Sequence, residues 1–149
     1  MARIISLNTS KTTGIAKQPV DSATLEPDHG FQGDAHARDW HRQVSLLAKE
    51  SIDKMLEKLP HLKPGAFAEN ITTEGLVLVD LPIGTRLVSG EVELEITQIG
   101  KKCHSKCNIY EKAGGCIMPT EGVFARVING GVLKKGDKIG ISEKQAQGN

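Results

Sequence analysis

The segment EVELEITQI, residues 91–99, is the strongest constraint on the fold. Val92, Leu94 and Ile96 alternate with Glu91, Glu93, Glu95 and Thr97. An extended chain puts the three apolar side chains on one face and the polar ones on the other. A strand of this kind requires a sheet with one buried face. Other segments extend the pattern. Ala2 to Asn8 alternates in the same way, Lys17 to Leu25 reads as a weaker extended segment, and QVSLL (residues 43–47) as a short strand. Val123 to Ile128 and Lys138 to Ser142 read as later strands, the second closing the fold. Asn129-Gly130-Gly131 reads as a hairpin-like turn.

One helix interrupts this. From Lys49 to Leu59, Ile52, Met55, Leu56 and Leu59 fall at i, i+3, i+4 and i+7, forming one apolar face before Pro60 and Pro64 end it. Leu76 to Val79 is apolar and LPIGT after it is a turn. The chain has one Trp, one Tyr and three Phe, so a core must come mainly from Val, Ile and Leu, which suits strands. The expectation is a mainly β (α+β) fold, a compact β-barrel or β-sandwich with one principal helix inserted. It forms one domain over 1–149, with a core of about 3–141 and a frayed tail from 143 to 149.

The net charge of +1 gives no basis for nucleic-acid or membrane binding. No run approaches the roughly 20 apolar residues of a membrane span, and MARIISLNTS lacks the pattern of a signal peptide. The expected location is cytoplasmic, where thiols stay reduced.

All three cysteines lie in KKCHSKCNIYEKAGGC, residues 101–116. Cys103, Cys107, Cys116 and His104 have the ligand types of a structural zinc site, but adjacent Cys103 and His104 would both have to turn onto one metal. The Cys-x-x-Cys pair of a thioredoxin-like motif is absent. The other reading is a reactive thiolate. Lys101, Lys102, His104 and Lys106 surround Cys103 in sequence, and positive charge lowers a thiol's pKa. Such a thiolate, directly after a strand, can carry a persulfide or bind a soft metal centre. Cys107 and Cys116 either resolve the persulfide or bind a metal alongside it.

Four motifs in order, GDAHARDWHRQVSLL, PGAFAENITTEGL, LPIGTRLVSGEVELEITQIGKKC and GVLKKGD, resemble the MOSC domain, named for the C-terminal domain of molybdenum cofactor sulfurases. The resemblance runs from about Arg3 to Ile141 and is nearest to small stand-alone bacterial members. It implies a β-barrel-like fold, binding of the molybdenum cofactor, and one functional cysteine shortly after the long strand. Cys103 holds that position, as sulfur carrier or molybdenum ligand. Relatives also place a cofactor-contacting Asn at the position of Asn70.

The cofactor is an anionic pterin phosphate, so cationic and amide groups matter. Arg42 can clamp the phosphate as a rigid donor fork. Lys11 and Arg126 are further cationic candidates. Asp34 and His36 are expected to organise the pocket wall. His36 and His41 with Asp34 also have the types of a metal site, though in a loop rather than on one helical face. Glu69 either orients Asn70 or acts in acid–base chemistry.

The larger sulfurases add a pyridoxal-phosphate cysteine desulfurase domain. This chain has no length for one, so pyridoxal phosphate would sit only on a separate desulfurase that donates the sulfur, with a molybdoenzyme as acceptor. Amidoxime-reducing relatives instead reduce N-hydroxylated compounds at the bound cofactor, with electrons from other proteins. The small size favours a cofactor or sulfur carrier over such a reductase. The third alternative is a partner-binding domain with structural zinc.

Overall fold

The computed structural model describes residues 2–11, 17–35, 37–40, 43–53, 69–99 and 122–142. The strands are β1 (Arg3–Thr9), β2 (Gln18–Val20), β3 (Ser22–Glu26), β4 (Gly30–Phe31), β5 (Val44–Ala48), β6 (Ile71–Glu74), β7 (Arg86–Ser89), β8 (Val92–Ile99), β9 (Val123–Asn129), β10 (Gly131–Lys134) and β11 (Gly140–Ile141). The helix α1 covers Lys49–Asp53, and a 3-10 turn covers Leu78–Asp80.

The larger sheet runs β11-β7-β8-β9-β5-β6-β1-β2, and a smaller one runs β10-β3-β4. All described pairs in the larger sheet are antiparallel except β5 with β6. Parallel neighbours need a crossover rather than a hairpin. The helix lies in that crossover, which is why a β-rich chain carries it.

The sheet curls into a barrel-like shape because its far end returns to β1. Arg3 bridges Lys138. The Ile4 N–H donates to the Asp137 carbonyl at 2.7 Å, and the Gly136 N–H donates to the Ile4 carbonyl at 2.7 Å. The short β11 that follows pairs with β7. Pro19 sits in the outermost strand, β2, where a missing N–H costs no ladder bond.

The core contains Val92, Leu94 and Ile96 of β8, as the alternation requires, packed with Leu7, Leu46, Ile71, Leu87, Ala125 and Val127. On β1 both Ile4 and Leu7 enter this core, although three positions separate them. A bulge between Ile4 and Ser6 inserts the extra residue that makes this possible. Beyond it, Ser6 and Asn8 face away from the core.

Three readings of the sequence change. The extended segment Lys17 to Leu25 is two strands broken at Asp21, and they join different sheets. Asn129-Gly130-Gly131 is not a hairpin turn: β9 pairs with β8 and β5, whereas β10 pairs with β3. The chain leaves the barrel sheet at this corner. A Cβ on Gly130 would stand 2.5 Å from the Leu25 carbonyl oxygen, so the close approach of β3 selects glycine there. The loop after Pro27 contains a strand, β4, paired with the end of β3. The helix begins at Lys49 as expected and buries Ile52; Met55, Leu56 and Leu59 lie outside the described residues, as does the tail from residue 143. No helix among the described residues is long and apolar enough to cross a membrane.

Candidate functional site

The sheet face opposite the core is polar and yet buried. Ser6, Asn8, Ser45, Glu69, Asn70 and Thr72 are all buried there. Buried polar groups persist where they are hydrogen-bonded, and here the bonds link three strands. The Asn8 amide spans β1 and β6: Nδ2 donates to the Glu69 carbonyl and to Thr72 Oγ1, both at 3.2 Å, and Oδ1 accepts from the Ser6 hydroxyl at 2.7 Å. Thr72 then donates to Glu69 Oε2 at 2.8 Å. The donations run in one direction, Ser6 to Asn8 to Thr72 to Glu69, and fix that carboxylate oxygen as an acceptor.

Asn70 ties β5 to β1. Its Oδ1 accepts from the Ser45 N–H at 3.0 Å and from the Ser45 hydroxyl at 3.2 Å, and its Nδ2 donates to the Asn8 carbonyl at 3.2 Å. The Asn8 N–H returns a bond to the Asn70 carbonyl at 2.8 Å. Among the described residues, nothing accepts the second Nδ2 hydrogen.

Register continues this row across the sheet. Ser45 faces Phe124 on β9, and Phe124 faces Gln98 on β8. The next pair is Ile99 with Val123. In the sequence, residues 100–121 lie between Ile99, the last residue of β8, and the start of β9 at Val123. The segment carrying the cysteines is therefore attached one register step from the row that holds Asn70.

Asp34 lies beside the other end of the row, past Asn8. Its Oδ1 accepts from the Ser10 N–H and the Thr9 hydroxyl at 3.0 Å, and from Lys17 Nζ at 2.9 Å. The Ala35 N–H adds a bond to the Ser10 carbonyl. These bonds pin the Gly33-Asp34 loop to the end of β1. The next residue, Lys11, is exposed and makes no ion pair among the described residues.

The structure thus gathers Lys11, Asp34 and Asn70 around the C-terminal end of β1. Arg126 is elsewhere, on the outer surface of β9, where its Nε donates to Glu95 Oε1 at 2.9 Å. Arg86 completes that cluster, donating to Glu93 Oε2 at 2.7 Å and lying 3.4 Å from Glu95. The hydrogen bond to Glu93 raises the Arg86 pKa above its ordinary value, with help from the Glu95 charge and against the effect of burial. Cys103, Cys107, Cys116, Arg42, His36 and His41 lie outside the described residues. Among the described residues no group of three or more His, Cys, Asp or Glu side chains is placed to hold a metal ion.

Sequence reasoning missed Lys17, Ser6, Asn8, Ser45 and Thr72. Polar residues alternating along a strand normally signal a wet face, and nothing in the pattern distinguishes a buried one. A mostly apolar hollow lined by Ala48, Ser51, Leu76, Val77 and Leu78 lies at the opposite ends of β5 and β6. It presents Glu50 as its charged group, and that carboxylate already accepts from the Gly75 N–H at 2.9 Å.

Residues 32–140 match the MOSC domain. The chain belongs to the MOSC domain family, which is linked to molybdenum cofactor sulfurases and cofactor-binding proteins. Its fold is similar to that of the YuaD protein of Bacillus subtilis, with a TM-score of 0.78, 17% identity, and coverage of 93% of this chain and 94% of that one. It is also similar to YiiM from Geobacillus stearothermophilus, at a TM-score of 0.72, 22% identity, and coverage of 96% and 76%. YiiM from Escherichia coli gives a TM-score of 0.67 at 18% identity, covering 95% and 70%. No curated protein matches the sequence.

Proposed function

We propose that this domain binds the molybdenum cofactor and serves as a cofactor or sulfur carrier, with Cys103 as its reactive thiolate. The observation that carries the reading is the buried polar row of Asn8, Asn70 and Ser45, which leads to the attachment point of the cysteine segment.

The donor set suits an anionic pterin phosphate. Lys11 offers an ammonium outside any ion pair among the described residues. Asn70 carries one amide hydrogen that no described residue accepts, and the Thr72 hydroxyl fixes Glu69 as an acceptor beside it. Arg42 adds a bidentate cation for the phosphate. The bound cofactor supplies a metal that accepts sulfur ligands and changes oxidation state. The protein's own part is to orient the pterin along the polar row, to hold the phosphate at Lys11 and Arg42, and to present the Cys103 thiolate. In sulfur loading, the Cys103 thiolate attacks the outer sulfur of a cysteine desulfurase's persulfide. One S–S bond forms at Cys103, the donor's S–S bond breaks, and the donor leaves as a thiolate. Cys107 and Cys116 then act as resolving thiols or as added metal ligands.

The test is transfer. Loaded protein is mixed anaerobically with a cofactor-free molybdoenzyme, and in parallel with an amidoxime and a reduced dye. The carrier reading predicts that the acceptor gains activity and the amidoxime is untouched. Amidoxime reduction without transfer would replace the carrier with a reductase. Neither outcome, with zinc bound in place of molybdenum, would withdraw the cofactor reading altogether.

A further inference from the structure

Lys17 and Asp34 form an ion pair at 2.9 Å in which both side chains are wholly buried. Lys17 Nζ also donates to Ser10 Oγ at 3.1 Å. Lys17 is a cation inside the candidate site with no access to solvent, so it is poorly placed to take a ligand itself. Its effect on the site is through charge. The same Asp34 oxygen receives the Ser10 N–H, and Lys11 is the residue after Ser10. Asp34 therefore sits beside the backbone that carries the exposed Lys11, whose ammonium would receive an anion.

A bare carboxylate at that place would offset the charge of Lys11 and repel a phosphate. At an effective dielectric of about 20, one unit charge within about 12 Å changes an anion's affinity by about tenfold. The link from Asp34 through Ser10 to Lys11 keeps the ammonium within roughly that radius.

We propose that Lys17 is a specificity-determining counter-charge: it cancels Asp34 so that the site selects a phosphorylated pterin over its unphosphorylated analogue. The proposal rests on the cofactor-binding reading above and concerns the phosphate end of that ligand. Asp34 keeps its role of pinning the loop to β1, and Lys17 removes the electrostatic cost of having a carboxylate there.

The test is fluorescence titration with 6-hydroxymethylpterin and with its monophosphate, using the full chain. The wild type is expected to prefer the phosphate. Lys17→Met should lower affinity for the monophosphate by about tenfold while leaving the unphosphorylated pterin within about twofold. Lys17→Arg, which keeps the charge, should retain the preference. Lys17→Met combined with Asp34→Asn removes both charges and should regain monophosphate affinity, and it guards against a single variant that fails to fold. Equal weakening of both ligands in Lys17→Met would make Lys17 a structural prop and overturn the proposal, as would a folded double variant that still rejects the phosphate. If the wild type binds the monophosphate and Lys17→Met binds it equally well, only the counter-charge falls. If the wild type binds neither pterin, the cofactor reading falls with it.

Discussion

Replacing Asn70 with alanine separates two roles for this residue. If Asn70 served only a ligand, its loss would leave the empty protein as stable as before. The structure gives a different expectation. Its side chain holds the Ser45 N–H, the Ser45 hydroxyl and the Asn8 carbonyl, and both Ser45 and Asn8 are buried. A buried polar group left without its mate costs about 1–3 kcal/mol. The Ser45 hydroxyl still receives the Asn70 N–H at 3.0 Å and can rotate, so the two backbone groups carry most of the loss. Together they give about 2–5 kcal/mol. At about 2–4 °C per kcal/mol for a chain of this size, Tm should fall by about 4–20 °C. Asn70→Asp should not rescue, because it sets a carboxylate oxygen against the Asn8 carbonyl. The assay is urea unfolding followed by far-UV circular dichroism, with an unchanged slope required for the comparison. A loss below about 1 kcal/mol with an unchanged slope would show that Asn70 does not tie β1 to β5.

Three further substitutions probe the loop that leads into the site and the ion pairs on the outer face of the sheet. Gly30 has φ +119°, and a Cβ there would lie 2.6 Å from the Gln43 carbonyl oxygen, whereas Gly33 at φ +82° has open space around it. Gly30→Ala should therefore cost more than Gly33→Ala, by about 1–2 kcal/mol in thermal or urea unfolding, since both share the positive-φ penalty and only Gly30 adds a backbone clash. Arg86→Ala should cost about 1 kcal/mol in low salt and less in 1 M salt, measured by urea unfolding at both, because it releases Glu93 and leaves Glu95 held by Arg126 alone in a partly buried ion-pair cluster.

Much of the barrel is legible in the sequence. In β8 the alternation and the burial agree from Val92 to Thr97, because one face meets the core and the other meets Arg86 and Arg126; past the irregularity between Ile96 and Gln98 the pattern ends and Ile99 is exposed. Strand β7 is not legible: RLVS is short, follows a turn, and becomes a strand through its pairing with β8. The glycine corner at Asn129–Gly131 has the composition of a hairpin, but the partner of β10 is chosen by β3, which is distant in sequence. The polar row is hidden for a related reason. Ser6 and Asn8 look like the wet side of β1, and only the bonds made by Glu69, Asn70 and Thr72 show that this side is enclosed. Lys17 gives no signal either, since its partner Asp34 is seventeen residues away. Cys103, by contrast, stands out from its cationic neighbours and its place after the long strand.

Metal content is the most direct test of the central claim that this domain holds the molybdenum cofactor through Cys103. Anaerobically purified protein would be exposed to cofactor released from a donor molybdoenzyme, desalted and assayed for metals, with Cys103→Ser treated in parallel. The account predicts molybdenum near one per chain in the wild type and little in the variant. Stoichiometric zinc with no molybdenum would contradict it, and equal molybdenum in the two proteins would remove Cys103 from the site.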